Sequence, residues 1–264
     1  MSTSNRSSAA ATARAARSEA SVTTSANPPT PDRRRFALIG PSRAIDHRIN
    51  AARRDLAEIA VAGRWFAPHY SVPEVLAGGH AGADILDVPD GKRISQLLPG
   101  EHFAVVEQSG GWAWGYSEHD HYVGYVAETA LMPARDAVFA LPPELGSIEG
   151  ATDPVAIAER LTGMPYLWGG RGIGGIDCSG LVQLAYGLVG VALPRDSDQQ
   201  AALGSPDVPD KLHRGDLLFF PGHVVMMTGS ADAIHANGHH MKVVTEPLAD
   251  IIARIGPPTG HYRP

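Results

Sequence analysis

Between Trp65 and Ala127, turn-forming residues recur at short, even intervals: Gly78-Gly79, Pro89-Asp90-Gly91, Pro99-Gly100 and Ser109-Gly110-Gly111. Such punctuation leaves no room for a long helix. The pieces between the turns are β-like: Val72 to Leu76, Ala83 to Val88, Lys92 to Leu98, His102 to Glu107, Trp112 to Tyr116 and Tyr122 to Ala127. Short strands at even spacing predict a small β-barrel. The pattern then changes. Asp153 to Thr162 reads as an amphipathic helix with Ala156, Ile157 and Leu161 on one face, capped by Thr152 or Asp153. Cys178 to Gly190 reads as a second helix, with Leu181, Val182, Leu184, Ala185, Leu188 and Val189 buried and Gly190 as its stop. A short third helix runs through Gln199 to Leu203. Strand-like runs follow at Asp216 to Phe220, His223 to Thr228, Ala233 to Ala236 and Met241 to Thr245. Helices followed by strands give an α+β arrangement: helices packed on an antiparallel sheet, preceded by the small all-β barrel.

The expected division is a disordered tail over residues 1–35, a barrel domain over 36–132, a linker over 133–150 stiffened by Pro142-Pro143, and an α+β domain over 151–264. Arg53 to Val61 fits either a short helix or a lead-in strand. No internal repeat is present.

The chain has 264 residues, 44% of them apolar, which suffices for a packed core, and a net charge of −6 without a basic stripe. Nucleic acid is therefore not an expected partner. One cysteine excludes an intrachain disulfide and fits a reducing compartment. The Ala-, Ser- and Arg-rich start faintly resembles an organellar transit peptide, but a disordered tail is the simpler account, and Arg14, Arg17 and Glu19 interrupt any apolar run. No segment is apolar and long enough for a signal h-region or a bilayer span, so the expectation is a soluble, cytoplasmic protein with no membrane partner. Oligomeric state is not readable.

The single cysteine sits between a glycine-rich loop and an apolar helical run, in Gly175-Ile176-Asp177-Cys178-Ser179-Gly180-Leu181-Val182. A helix N-terminus presents unpaired N–H groups and the positive end of the dipole, which favour a thiolate there. A lone cysteine is also often just a small buried hydrophobe. Two histidines lie in strand-like surroundings: His223 in Gly222-His223-Val224 and His235 in Ile234-His235-Ala236. A thiol needs a nearby base, and the base works better when a third group holds its ring in one tautomer. Each histidine alone reads more readily as a surface or satisfied core imidazole.

Six features in order carry a resemblance: Tyr166-x-Trp168-Gly169-Gly170, Asp177 to Val182, Leu193-Pro194-Arg195-x-Ser197, Arg214-Gly215-Asp216-Leu217-Leu218-Phe219-Phe220, Gly222-His223-Val224 and Ile234-His235-Ala236. Together they resemble the NlpC-type cysteine peptidases, papain-like enzymes of the bacterial cell wall. Leu98-Pro99-Gly100-Glu101, Gly111-Trp112 and Tyr122-Val123-Gly124-Tyr125-Val126 resemble a bacterial Src-homology-3-like domain over roughly Trp65 to Leu131. The resemblance implies Cys178 as nucleophile, His223 as base, His235 as its orienting partner, and Tyr166 beside the oxyanion site. It also implies that Asp177 and Ser179 hold a substrate's free amino group, that Trp168 and Ser197 line the same pocket, and that Glu101 and Tyr122 close its far side. The residues leave other readings open: Asp177 and Ser179 as helix caps, Trp168 as core, Glu101 as a solvated turn, Asp216 as a turn before a strand. The implied substrate is a murein stem peptide, L-Ala-γ-D-Glu-diamino acid, cut after D-Glu in the manner of a dipeptidyl-peptidase. No cofactor or metal is expected. Alternatives are a metal site around His235, His239 and His240, a wall-binding module without turnover, and acyl transfer in place of hydrolysis.

Overall fold

The computed structural model describes residues 44–264; the expected tail lies outside them. Two short strands, β1 (Leu56–Glu58) and β2 (His69–Ser71), pair in parallel, so the Arg53 to Val61 stretch is a strand followed by a 3-10 turn. Seven strands follow: β3 (Glu74–Gly78), β4 (Ala83–Leu86), β5 (Arg93–Leu97), β6 (His102–Ser109), β7 (Trp112–Ser117), β8 (Val123–Ala127) and β9 (Leu131–Pro133). Their order in the sheet is β5-β4-β8-β7-β6-β3-β9, and every pairing is antiparallel. Alternation puts Ala83, Ile85, Leu97, Phe103, Val105, Ala113 and Val126 into one core. β6 and β7 approach so closely that a Cβ on Gly115 would collide with the Ala104 carbonyl oxygen.

Residues 133–150, expected as a linker, start in β9, run along the barrel, where the Ala140 N–H donates to the Pro99 carbonyl oxygen, and then reach the second half of the molecule. Leu145 is buried in the core of that half together with Leu98 from the barrel.

That second half contains α1 (Pro154–Arg160), α2 (Cys178–Gly187), α3 (Ser197–Ala201), β10 (Leu217–Phe220), β11 (His223–Met227), β12 (Asp232–Asn237), β13 (Lys242–Pro247), α4 (Leu248–Ile255) and β14 (Gly260–Tyr262). The sheet runs β13-β12-β11-β10-β14, all antiparallel. Asp153 caps α1 by accepting from the Val155 N–H at 2.9 Å. The buried face of α1 is Val155, Ile157 and Ala158, with Leu161 just beyond; Ala156 is only half-buried. Leu217, Phe219, Val224, Met226, Ile234 and Ala236 join the core around α2. Their strand neighbours Leu218, Phe220, Val225, Met227 and Ala233 pack with Ile251 of α4 on the opposite face. A sheet covered on both faces explains why these strands read as unbroken apolar runs. α4 and β14 were not foreseen.

Candidate active site

Cys178 is the first residue of α2, and Asp177 is the N-cap: its Oδ1 accepts the Gly180 N–H at 2.7 Å. Gly180 has to be a glycine, because a Cβ there would run into the Gly170 carbonyl oxygen, where the glycine loop crosses the helix start. The cap leaves the first N–H groups of α2 directed at the thiol's surroundings. Cys178 is only 7% exposed, yet it lines a cavity of about 390 Å³. α2 supplies Asp177, Cys178 and Ser179 to that cavity; the start of α3 supplies Asp196, Ser197 and Asp198; the glycine loop supplies Trp168; the barrel supplies Ile94 and Tyr122.

The imidazoles form a chain. The register of β11 against β12, with Met226 opposite Ile234, puts His223 and His235 a diagonal step apart on one sheet face. His223 Nε2 lies 2.7 Å from His235 Nδ1. His235 Nε2 lies 2.7 Å from Glu246 Oε1 on β13 and 2.9 Å from Asn237 Nδ2. Arg254 of α4 and His240 also bond to Glu246. These rings border a second, smaller cavity of about 230 Å³. Among the described residues, no hydrogen bond joins Cys178 Sγ to the His223 ring. The thiol sits beside the N–H of Val224, the residue next to His223. The structure thus joins His223 to His235 but does not bring the thiol and the imidazoles together: Cys178 borders one cavity and the two rings the other.

The expected thiolate is not the resting form. Burial, reinforced by the Asp177 charge, pushes the Cys178 thiol up to about 12, and the N–H groups of Val224 and Ser179 offset only part of this. Burial, with neighbouring His235 and Arg254, pulls His223 down to about 4. The resting pair is therefore a neutral thiol and a neutral imidazole. Tyr166 is pushed up to about 12 by burial and by its closeness to Cys178, so it stays a phenol and a donor.

The remaining candidates separate. Trp168 is 66% exposed at the cavity rim, which excludes the core reading. Ser197 lines the cavity and Tyr122 roofs it, its hydroxyl 3.0 Å from both Asp196 carboxylate oxygens. Ser179 lines it too, but its hydroxyl accepts from buried Arg195 at 3.0 Å. Asp177 is committed: Arg195 donates to both its oxygens at 3.0 and 2.7 Å, and the Gly169 N–H adds a third donor at 2.8 Å. The cap reading of Asp177 therefore describes the geometry, and its charge is already matched. Glu101 does not reach this cavity. It binds buried Arg171 and the Leu98 N–H and borders a different hollow, so neither closing the site nor sitting solvated describes it. Asp216, expected as a turn residue before a strand, directly precedes β10 and accepts the His213 N–H at 2.8 Å across the turn; it is also completely buried against Arg263. Among the described residues, no group of three or more His, Cys, Asp and Glu side chains is placed to hold a metal ion.

Sequence reasoning missed Glu246, Asn237 and Arg254 at the imidazoles and Asp196 at the cavity. Asp196 adjoined a noted motif; the other three carried no local signal.

A thiol at a helix head and an imidazole pair on the neighbouring antiparallel sheet belong to a papain-like fold. Comparison with known proteins makes the class specific. Residues 163–252 match the NlpC/P60 family, and residues 85–131 match the bacterial dipeptidyl-peptidase Sh3 domain. The chain thus carries an NlpC/P60 domain preceded by an Sh3 domain of the bacterial dipeptidyl-peptidase type. Over 74 residues it is 45% identical to dipeptidyl-peptidase 6 of Lysinibacillus sphaericus, covering 28% of this chain and 27% of that one. Over 106 residues it is 33% identical to the gamma-D-glutamyl-L-lysine dipeptidyl-peptidase of Bacillus cereus, covering 37% and 32%. Among solved structures, an NlpC/P60 family protein from Bacillus cereus aligns with TM-score 0.39 and 22% identity over 72% of this chain and 63% of that one. The chain spans well under two thirds of the two curated relatives' own lengths.

Proposed function

We propose that this protein is a cysteine peptidase that hydrolyses short peptidoglycan stem peptides bearing a free amino end. The bond cut is the one between γ-D-Glu and the diamino acid, releasing an L-Ala-γ-D-Glu dipeptide. The observation that carries this reading is the cavity in front of Cys178: it is roofed by the barrel through Ile94 and Tyr122, and acidic on one side. A roof leaves room for a chain end and not for a continuing strand of substrate. The family matches support the chemistry, and the relatives' names support the bond.

The acidic side supplies the partner for an ammonium. Arg48 pairs with three carboxylates, Asp46, Asp196 and Asp198, and the nearby Arg195 is taken by Asp177, so this corner carries excess negative charge. Burial raises the Asp196 carboxyl, a cost that an incoming ammonium would relieve. In this reading Asp196, with Tyr122, Ser197 and Trp168 around it, takes the place first assigned to Asp177 and Glu101.

In the reaction, His223 removes the Sγ proton as sulfur attacks the carbonyl carbon. The oxyanion meets the Cys178 N–H and the Tyr166 hydroxyl; one such donor is worth about 3 kcal/mol. The imidazolium returns its proton to the leaving amine. Water, deprotonated by the same ring, then cleaves the thioester and frees the dipeptide carboxylate. A cytoplasmic setting would suit the recycling of wall fragments. The test is mass spectrometry of murein tripeptide and tetrapeptide incubated with wild type and Cys178→Ala. We expect L-Ala-D-Glu from wild type only. Equal cleavage of an N-acetylated peptide would refute the dipeptide-releasing reading.

A further inference from the structure

We propose that Glu246 is a positioning residue for this site: acting through His235, it selects the His223 tautomer whose Nδ1 is free to accept the Cys178 proton. The inference rests on the reading of Cys178 as nucleophile and His223 as its base.

The hydrogen-bond chain has two self-consistent proton arrangements. In one, His235 Nε2–H donates to Glu246 Oε1 at 2.7 Å, so His235 Nδ1 is an acceptor and His223 carries its proton on Nε2. His223 Nδ1 then holds a lone pair and has no hydrogen-bond partner among the described residues. In the other, the Asn237 amide donates to His235 Nε2 at 2.9 Å. His235 Nδ1–H then donates to His223 Nε2, the His223 proton moves to Nδ1, and the base is blocked. Asn237 is oriented for the second arrangement, because its Oδ1 already accepts the His240 N–H at 2.7 Å.

The carboxylate decides between them. A bond to an ionised acceptor is roughly twice as strong as a neutral one, and a bare ring nitrogen facing a carboxylate oxygen at that distance is repelled. Glu246 is kept ionised: burial pulls its carboxyl upward, but bonds from Arg254, His235 and His240 outweigh this and hold it at about 2. When His223 takes the thiol proton, the positive charge is shared along Nε2–H and His235 toward Glu246. Nothing leaves the chain and no further reactant is needed.

The charged and titratable groups facing these rings come from every neighbouring element. They are His240 in the turn before β13, Glu246 on β13 and Arg254 on α4; the Cys178 thiol, with Asp177, Arg195 and Tyr166 around it, borders the other cavity. Glu246 and Arg254 act on the imidazoles with opposite sign: the glutamate favours the protonated ring and the arginine opposes it. A merely structural clamp would fail in the same direction whichever partner were removed.

The experiment measures alkylation of Cys178 by iodoacetamide in the full chain, from about pH 6 to about pH 9. It also measures kcat and KM on the tripeptide. Glu246→Gln should slow alkylation at neutral pH about tenfold, with the gap closing as hydroxide generates thiolate directly. kcat should fall by a similar factor at unchanged KM. Arg254→Gln should alkylate at least as fast as wild type. The proposal is overturned if Glu246→Gln stays within about twofold of wild type, or if both variants slow together. Alkylation needs no peptide, so a wild type that cuts nothing but shows the opposed shifts would refute the hydrolysis reading alone.

Discussion

Two of the charged seams between the first half of the molecule and the NlpC/P60 half differ in charge balance. At the first, Arg171 is fully enclosed. It pairs with Glu101, bonds to the Gln96 carbonyl oxygen at 2.9 Å and to Gln183 Oε1 at 3.0 Å. One cation meets one anion, and the guanidinium is satisfied. At the second, half-exposed Arg48 is shared among Asp46, Asp196 and Asp198, and two of those carboxylates open onto the Cys178 cavity. A balanced, buried seam holds surfaces together; an unbalanced, half-exposed one has attraction left over for a ligand. Glu101 and Asp196 are both carboxylates at the same boundary, and their partners, not their residue type, separate their roles.

The contrast can be broken in order of effect. Cys178→Ala should abolish hydrolysis while leaving both seams and the melting temperature nearly intact; residual turnover above background would remove the nucleophile from the scheme. Arg171→Ala should strip the first seam of its cation and leave Glu101 nearly buried without one, costing about 3–5 kcal/mol in denaturant unfolding. A cost under about 1 kcal/mol would mean that this seam does not hold the halves together. Asp196→Asn should spare stability by comparison but lower kcat/KM on free-amine peptides about tenfold or more, with no further loss on an acetylated peptide. Equal losses on both peptides would assign Asp196 to structure.

The smallest effect is on stability against pH. Burial lowers His223 from its ordinary 6.5 to about 4 in the folded state. The unfolded chain therefore binds a proton that the folded one refuses as pH drops from 6.5 toward 4, and stability falls over that window. His223→Gln should flatten this part of a melting-temperature profile. An unchanged slope would place the titration elsewhere.

Much of the architecture was legible from local pattern. Turn pairs marked six barrel strands to within a few residues, because a glycine or proline acts on its own backbone. The Asp-Cys-Ser-Gly run announced a capped helix for the same reason. α4 was missed although Leu248, Ile251 and Ile252 are spaced for one helical face, since it continues directly from β13 without a capping side chain. β14 is three residues long and earns its place only by pairing with β10.

The site divides along the same line. The sequence singled out Cys178, its cap and the two histidines because each sits in a short run whose geometry follows from neighbours along the chain. The partners of the charged groups could not. Arg171 meets Glu101 across 70 positions, and Arg48 meets Asp196 across 148. Only packing of the two halves determines which carboxylate loses its free charge to an arginine and which keeps it. Likewise the sequence by itself placed a thiol at a helix head, where a dipole and free N–H groups favour the anion. The tertiary structure then enclosed that sulfur and kept its proton on, because desolvation in a packed interior outweighs what one helix end supplies.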